Sequence, residues 1–196
     1  MDSFLITAPA EEPVSTAEAK LHLRVDGTAE DTLIAGLIEA ARQQVEAMTN
    51  RALCTQVWEC RFDAFPSDGA FIELPRAPLQ SLQQVSYLDT TGTLVQVAVA
   101  DFDVLAPSGA SAQPGSIGPK PDKTWPTAVQ DRAHAARIRF VAGYGAASAV
   151  PAALKSAILL IVGDLYANRE AQMTGTIVTE NKAVLALLWP FRVFYV

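Results

Sequence analysis

The chain has 196 residues, half of them apolar and 18% charged, which is the composition of a folded protein and excludes a disordered one. Its formal net charge of −6 argues against a protein whose main task is to grip phosphates, because that task rests on Lys and Arg. Residues 1–13 contain no basic stretch, so we expect no secretory signal and a cytoplasmic site of synthesis. Cys54 and Cys60 would lie about 20 Å apart on one extended strand, which predicts free thiols.

Residues 1–12 are predicted to form a loose arm, either free or with Phe4–Ile6 fixed to another part of the structure, and two helices follow it. Ser15 and Glu18 have the spacing of a capping box, which predicts a short helix. Thr28 is predicted to cap a second, longer helix that Asn50 closes. One face of this helix is apolar and consists of Leu33, Ile34, Leu37, Ile38, Ala41, Val45 and Met48.

From Cys54 onwards the apolar residues alternate, which predicts half-buried strands in one β module inserted after the second helix. Asp89–Gly92 is predicted to be the turn of a hairpin. Arg137 and Arg139 share one face of a strand and could form a basic stripe for DNA or a solvated sheet face. We favour the solvated face because no aromatic residues lie between them. The predicted strands cover residues 57–62, 71–74, 84–87, 94–97, 102–105 and 137–142.

The most apolar stretch is Pro151–Glu170, where apolar residues recur on nearly every side of a helix that Pro151 can begin. Lys155 and Asp164 interrupt it, so it does not have the pattern of a membrane span. A helix of this kind must be buried on nearly every side. We therefore predict that it is the central helix, either of the chain's own core or of a core shared with neighbouring copies.

The sequence contains no recognisable catalytic, metal or cofactor motif. His22 and His134 are its only histidines, and neither has a Cys or His at ligand spacing. Asp101 and Asp103 would share one face of a strand, but aspartates at strand ends are far more often solvated than catalytic. We therefore predict no catalytic residue, no metal and no cofactor.

Two segments are candidates for contact with another molecule. Ala106–Pro126 carries five prolines and three glycines without periodicity, so it is either a binding loop or an idle surface loop. A short helix over Asn181–Leu188 then leads into a tail rich in the residue types of interface hot spots. That tail either folds back on its own core or docks on a partner. We favour docking on a partner because Pro190 directs the chain away from the helix.

Several segments also occur in an order that carries a resemblance. They are Pro13–Val25, Thr49–Leu53, Ile72–Leu79, Val85–Asp89, Arg139–Gly145, Val150–Leu154, Leu165–Glu170 and Leu188–Val193. This order resembles that of the head–tail connector (adaptor) proteins of long-tailed bacteriophages and phage-derived gene transfer agents. The resemblance extends over nearly the whole chain, although no single motif is diagnostic.

The resemblance implies an α+β fold with a helical core and a β-strand insertion near residues 55–145. The core would combine two N-terminal helices, the long apolar helix near 151–170 and the short C-terminal helix, all in one connector domain over residues 1–196. The resemblance also implies a virion protein made in the bacterial cytoplasm, in a ring expected to have twelve copies. One side of the ring would meet the portal protein at the capsid vertex and the other a tail-side stopper or tail component. DNA would pass through the lumen without specific binding, which suits a ring of total charge about −72 (12 × −6), and no membrane is implied.

Within this reading, the tail over residues 189–196 is expected to dock on the portal. The residues expected to do so are Trp189, Phe191, Arg192, Phe194 and Tyr195. The loop is expected to contact a neighbouring subunit or the tail-side partner through Pro107, Ile117, Lys120, Lys123 and Trp125. The alternatives are an enzyme or small-ligand-binding module with an unrecognised site, and a nucleic-acid binder, which the charge disfavours.

Overall fold

The computed structural model describes residues 1–129, 132–168 and 181–194, and its fold is α+β, as predicted. The helices are α1 (Thr16–Leu23), α2 (Asp31–Thr49), α3 (Ala152–Ala167) and α4 (Lys182–Leu188). The strands are β1 (Asp2–Thr7), β2 (Gln56–Phe62), β3 (Ile72–Glu73), β4 (Leu79–Leu88), β5 (Leu94–Val97), β6 (Phe102–Leu105), β7 (Ser116–Pro119) and β8 (Ala136–Ala142). The chain divides into two compact units. The β unit consists of residues 1–10 and 55–144, and the helical unit of the described parts of 11–54 and 145–196.

The helical unit begins with the predicted capping box. The Ser15 hydroxyl accepts a hydrogen bond from the Glu18 backbone N–H, and the Glu18 carboxylate accepts one from the Ser15 backbone N–H. The second helix ends at Asn50 in the left-handed conformation (φ 55°), also as predicted. The predicted cap at Thr28 is wrong, because the Thr28 carbonyl accepts from the Asp31 N–H in a separate turn and α2 begins only at Asp31.

The long apolar helix α3 is buried on one side only. Leu154, Ile158 and Val162 are fully buried, whereas Leu165 is 36% exposed. Leu159 and Leu160 are half-buried. Among the described residues of one copy, α3 is therefore not buried on nearly every side.

The predicted β module lies within the β unit, one compact unit whose strands form two antiparallel sheets. The larger has the strand order β1-β2-β8-β4-β5 and the smaller the order β3-β7-β6. Strand β8 alternates as expected, with Ile138 and Phe140 fully buried between half-buried Arg137, Arg139 and Val141.

Two segments of the β unit differ from their predictions. Residues 2–7 are not a free arm, because they pair with β2 along its outer edge, which agrees with the alternative that Phe4–Ile6 is fixed. The predicted loop 106–126 contains β7, which lies between β3 and β6. A Cβ at Gly118 would lie 2.5 Å from the ring of Phe71, so that ring packs directly against the glycine. A glycine and a proline within four residues hide the alternation of such a strand.

Candidate docking surfaces

The C-terminal tail leaves α4 through a short 3-10 turn over Trp189–Phe191. Asn181 begins this helix, and its side-chain oxygen accepts hydrogen bonds from the N–H groups of Ala183 and Val184. Pro190 lies in the turn, where the α-helical hydrogen bonds end. Arg192 is extended, and burial alternates along the tail, with Phe191 and Val193 buried and Arg192 and Phe194 exposed.

One side of the tail is fixed to the helical unit. Phe191 and Val193 are 8% and 4% exposed. The Val193 N–H donates to the Thr49 carbonyl (3.0 Å), and the Asn50 side-chain amide donates to the Val193 carbonyl (2.8 Å). The Arg51 guanidinium donates to the Phe191 carbonyl (2.5 Å). The tail is thus held in one direction by the end of α2.

The other side of the tail is open. Trp189 and Phe194 are 66% and 64% exposed. The Arg192 guanidinium carbon lies 5.6 Å from the Trp189 ring centre and 5.0 Å from that of Phe194. We call these three residues the aromatic–arginine stack, since both distances allow cation–π attraction. Tyr195 lies outside the described residues.

The segment 106–126 also divides its side chains between interior and surface. Ile117 is fully buried in β7. Trp125 is 7% exposed, stacks on Phe65 with ring centres 4.8 Å apart, and donates from its indole N–H to a backbone carbonyl. Pro107 and Lys123 are exposed and Lys120 is half-buried, so these three are the surface members of the predicted set.

Lys123 forms an ion pair with Asp101, with 3.1 Å between Nζ and Oδ1. The hydrogen bond to Asp101 raises the pKa of the Lys123 ammonium above its usual value. Asp101 was one of the two aspartates considered for acid–base chemistry, and its carboxylate here pairs with Lys123 at the surface.

A buried carboxylate on the five-stranded sheet was missed by the sequence reasoning. Glu59 is 4% exposed and accepts hydrogen bonds from Arg61 Nε (2.8 Å) and Arg139 Nη2 (2.7 Å). Burial raises the pKa of the Glu59 carboxyl, but the bonds from Arg139 and Arg61 outweigh it, so the net pKa lies below its usual value. The signal that could have found it is the register, since Glu59 faces Arg139 directly across the strands.

No group of three or more His, Cys, Asp or Glu side chains within the described ranges could hold a metal ion. No helix in those ranges is long and apolar enough to cross a membrane. Cys54 and Cys60 are free and buried, which confirms the prediction of free thiols. Burial raises the pKa of the Cys54 thiol to about 11 and that of Cys60 to about 12, so both are protonated at neutral pH.

A family model described as phage gp6-like head–tail connector protein matches residues 15–111. Among solved structures, the chain is similar to a protein in the neck of an empty gene transfer agent (GTA) particle computed with C6 symmetry. Identity is 25%, the TM-score is 0.81, and the match covers 100% of this chain and 97% of that one. Chains from the virion of a native GTA particle (TM-score 0.79) and from a native GTA neck computed with C12 symmetry (0.78) are 24% identical with the same coverage. No curated protein matches the chain.

Proposed function

The chain belongs to the head–tail connector proteins of bacteriophages and gene transfer agents, and we propose that it forms a ring attached to the portal by its C-terminal tail. It is a structural adaptor at the head–tail interface of the particle. We propose, beyond this family membership, the ring, the contact with the portal and the residues that make both.

The ring is proposed to contain twelve copies. Support comes from the likeness to chains of GTA necks computed with C6 and C12 symmetry. The half-covered α3, with Leu165 36% exposed, leaves apolar surface that a neighbouring copy can bury. Twelve copies would carry a total charge of about −72 (12 × −6), and DNA passing through such a ring would be repelled rather than bound.

The aromatic–arginine stack carries the portal proposal. Two large rings that are each about two-thirds exposed are unusual on a chain whose tail is otherwise fixed to its core. Fully burying one such ring is worth about 1.5–3 kcal/mol. Trp and Arg are also enriched among the residues that dominate binding energy. Arg192, held between the two rings, can donate hydrogen bonds to carboxylates or carbonyl groups of the portal.

The surface members of the loop are proposed to meet a neighbouring subunit or the tail-side partner. Pro107, Lys120 and Lys123 present this surface, whereas Ile117 and Trp125 support it from below. A structural adaptor of this kind has no need of catalysis, and we propose that the chain catalyses no reaction and binds no cofactor.

The portal contact is tested with single substitutions, because removing residues 189–196 would also remove Phe191 and Val193 from the core. Trp189→Ala and Phe194→Ala should each weaken portal binding by at least about tenfold, equivalent to 1.4 kcal/mol. Leu185→Ala is the matched control, since Leu185 is 37% exposed on the preceding helix. Binding is measured with purified portal protein, and circular dichroism verifies each fold. Unchanged affinity in both aromatic variants would refute the proposed contact.

A further inference from the structure

We propose that the five-stranded sheet continues from one copy of the chain into the next, with β1 of one copy pairing alongside β5 of its neighbour. This inference rests on the proposed ring and names the strands that join its subunits.

Both strands lie at free edges of the sheet. The strand order β1-β2-β8-β4-β5 gives β1 and β5 one neighbour each among the described strands. All six residues of β1 are exposed. In an edge strand, alternate residues direct their N–H and C=O groups away from the sheet, where they can bond another strand.

The two edges lack the features that normally prevent strands of different copies from pairing. Such edges usually carry lysines, prolines or inward-pointing charges. β5 has the sequence Leu-Val-Gln-Val with no charge, and the one charge of β1, Asp2, is hydrogen-bonded to His134 (2.7 Å). The rest of β1 instead exposes apolar side chains, with Phe4, Leu5 and Ile6 at 37%, 46% and 40%.

The regular parts of the two strands have the same length. The pairing of β1 with β2 shifts between Leu5 and Thr7, so the regular part of β1 is Asp2–Leu5. β5 has four residues, Leu94–Val97. The paired residues of successive strands also form one row across the sheet, which runs Ser3, Cys60, Ile138, Val85, Val97. Ser3 and Val97 are therefore the two ends of one row.

The direction of the strands indicates a second copy in a ring as the occupant. Four antiparallel pairings separate β1 from β5, so the two edge strands run in the same direction. When rotation places one sheet beside another edge to edge, β5 meets the next β1 in parallel. This contact uses two different surfaces of each copy, as a closed ring requires. Pairing of β1 with β1 would instead be antiparallel and would end growth at a dimer.

Engineered cysteines test the contact in the full-length chain. Ser3→Cys is combined with Val97→Cys, at the ends of one row, or with Val95→Cys, which allows a stagger of two residues. Neighbouring strands lie about 4.8 Å apart, within the range that a disulfide spans. All variants carry Cys60→Ala, because Ser3 faces Cys60 directly across β1 and β2 and a new thiol at position 3 could otherwise pair with it. Cys54 is buried in the helical unit. Mild oxidation of the assembled protein should give a ladder of linked copies beyond the dimer in at least one double variant.

Two control variants show whether the cross-linking is specific to contact between β1 and β5. Ser3→Cys alone should give no ladder, and neither should Ser3→Cys with Ser81→Cys, since Ser81 is exposed on β4, an interior strand of the sheet. Rings that native mass spectrometry detects without a ladder in either double variant would overturn the inference and leave the proposed function standing. Dimers from Ser3→Cys alone would overturn it in favour of β1–β1 pairing. A chain that stays monomeric even with the portal protein would refute the proposed ring as well.

A charge placed on the edge gives a measurement that needs no disulfide. Leu5→Lys should reduce the fraction of chain in rings at least tenfold at a fixed concentration. Leu21→Lys on α1 is the control, because Leu21 is 82% exposed and lies in the helical unit. Equal ring fractions for the two variants would contradict the proposed contact.

Discussion

Glu59 lies between Arg61 and Arg139 on the face of the five-stranded sheet that also carries Arg137. One carboxylate thus binds two of the three guanidinium groups on this face. A stripe of free arginines would attract phosphates, whereas arginines bonded to a buried carboxylate have part of their charge neutralised. The ion pairs therefore support a structural role for these arginines and weaken the interpretation of the stripe as a DNA site.

Glu59→Gln should lower the free energy of unfolding at pH 7 by about 1–3 kcal/mol, because a charge-assisted pair is replaced by a neutral amide. The effect should depend on pH in one direction. The pKa of Glu59 is lowered in the folded chain, so its stabilisation is complete above its usual value of 4.5 and is lost as the pH falls through the lower folded pKa. Urea unfolding from pH 7 to pH 3 measures both chains. A difference in the free energy of unfolding that stays constant over this pH range would contradict the lowered pKa of Glu59.

At the scale of elements, the tail is a segment of alternating burial that the residues at the end of α2 hold in place. Phe191→Ala should destabilise the chain by about 3 kcal/mol, since a buried ring leaves a cavity. Phe194→Ala, three residues further on, should change stability by no more than about 0.5 kcal/mol because its ring is 64% exposed. Thermal unfolding compares the two variants. Equal losses of stability would show that the tail does not alternate as described.

The elements that the sequence predicted correctly are those whose signal is local. The capping box at Ser15 and the end of α2 at Asn50 depend on residues within one helical turn. The alternation of β8 follows from its burial on one face. Strand β1 was not predicted as a strand because all its residues are exposed and therefore show no alternation of burial. It is a strand only through its pairing with β2, about 50 residues later.

The candidate docking surface was predictable in composition but not in orientation. The aromatic residues of the tail could be read from the sequence. Which of them face outward is decided by hydrogen bonds with residues about 140 positions earlier. The Val193 N–H donates to the Thr49 carbonyl, and the side chains of Asn50 and Arg51 donate to the carbonyls of Val193 and Phe191. No local pattern encodes contacts of that range.

At the scale of the whole molecule, the net charge and the proposed ring oppose each other. Each copy carries −6, so every neighbour added to a ring increases repulsion, while apolar surface such as that around Leu165 favours association. Salt weakens only the repulsion, because the Debye length falls from about 30 Å at 0.01 M to about 8 Å at 0.15 M. Raising the ionic strength over this range should therefore increase the fraction of rings.

Light scattering at fixed protein concentration measures the change, with twelve copies of a 20.9 kDa chain expected at about 251 kDa. Association that decreases with salt would mean that complementary charges, rather than apolar surface and strand edges, hold the copies together.

The same salt series with double-stranded DNA added measures whether the ring binds DNA. A basic DNA-binding surface would give binding that is strongest at low salt, where counterion release is most favourable. An adaptor that lets DNA pass should show no such binding at the low-salt end, where repulsion from the ring is greatest.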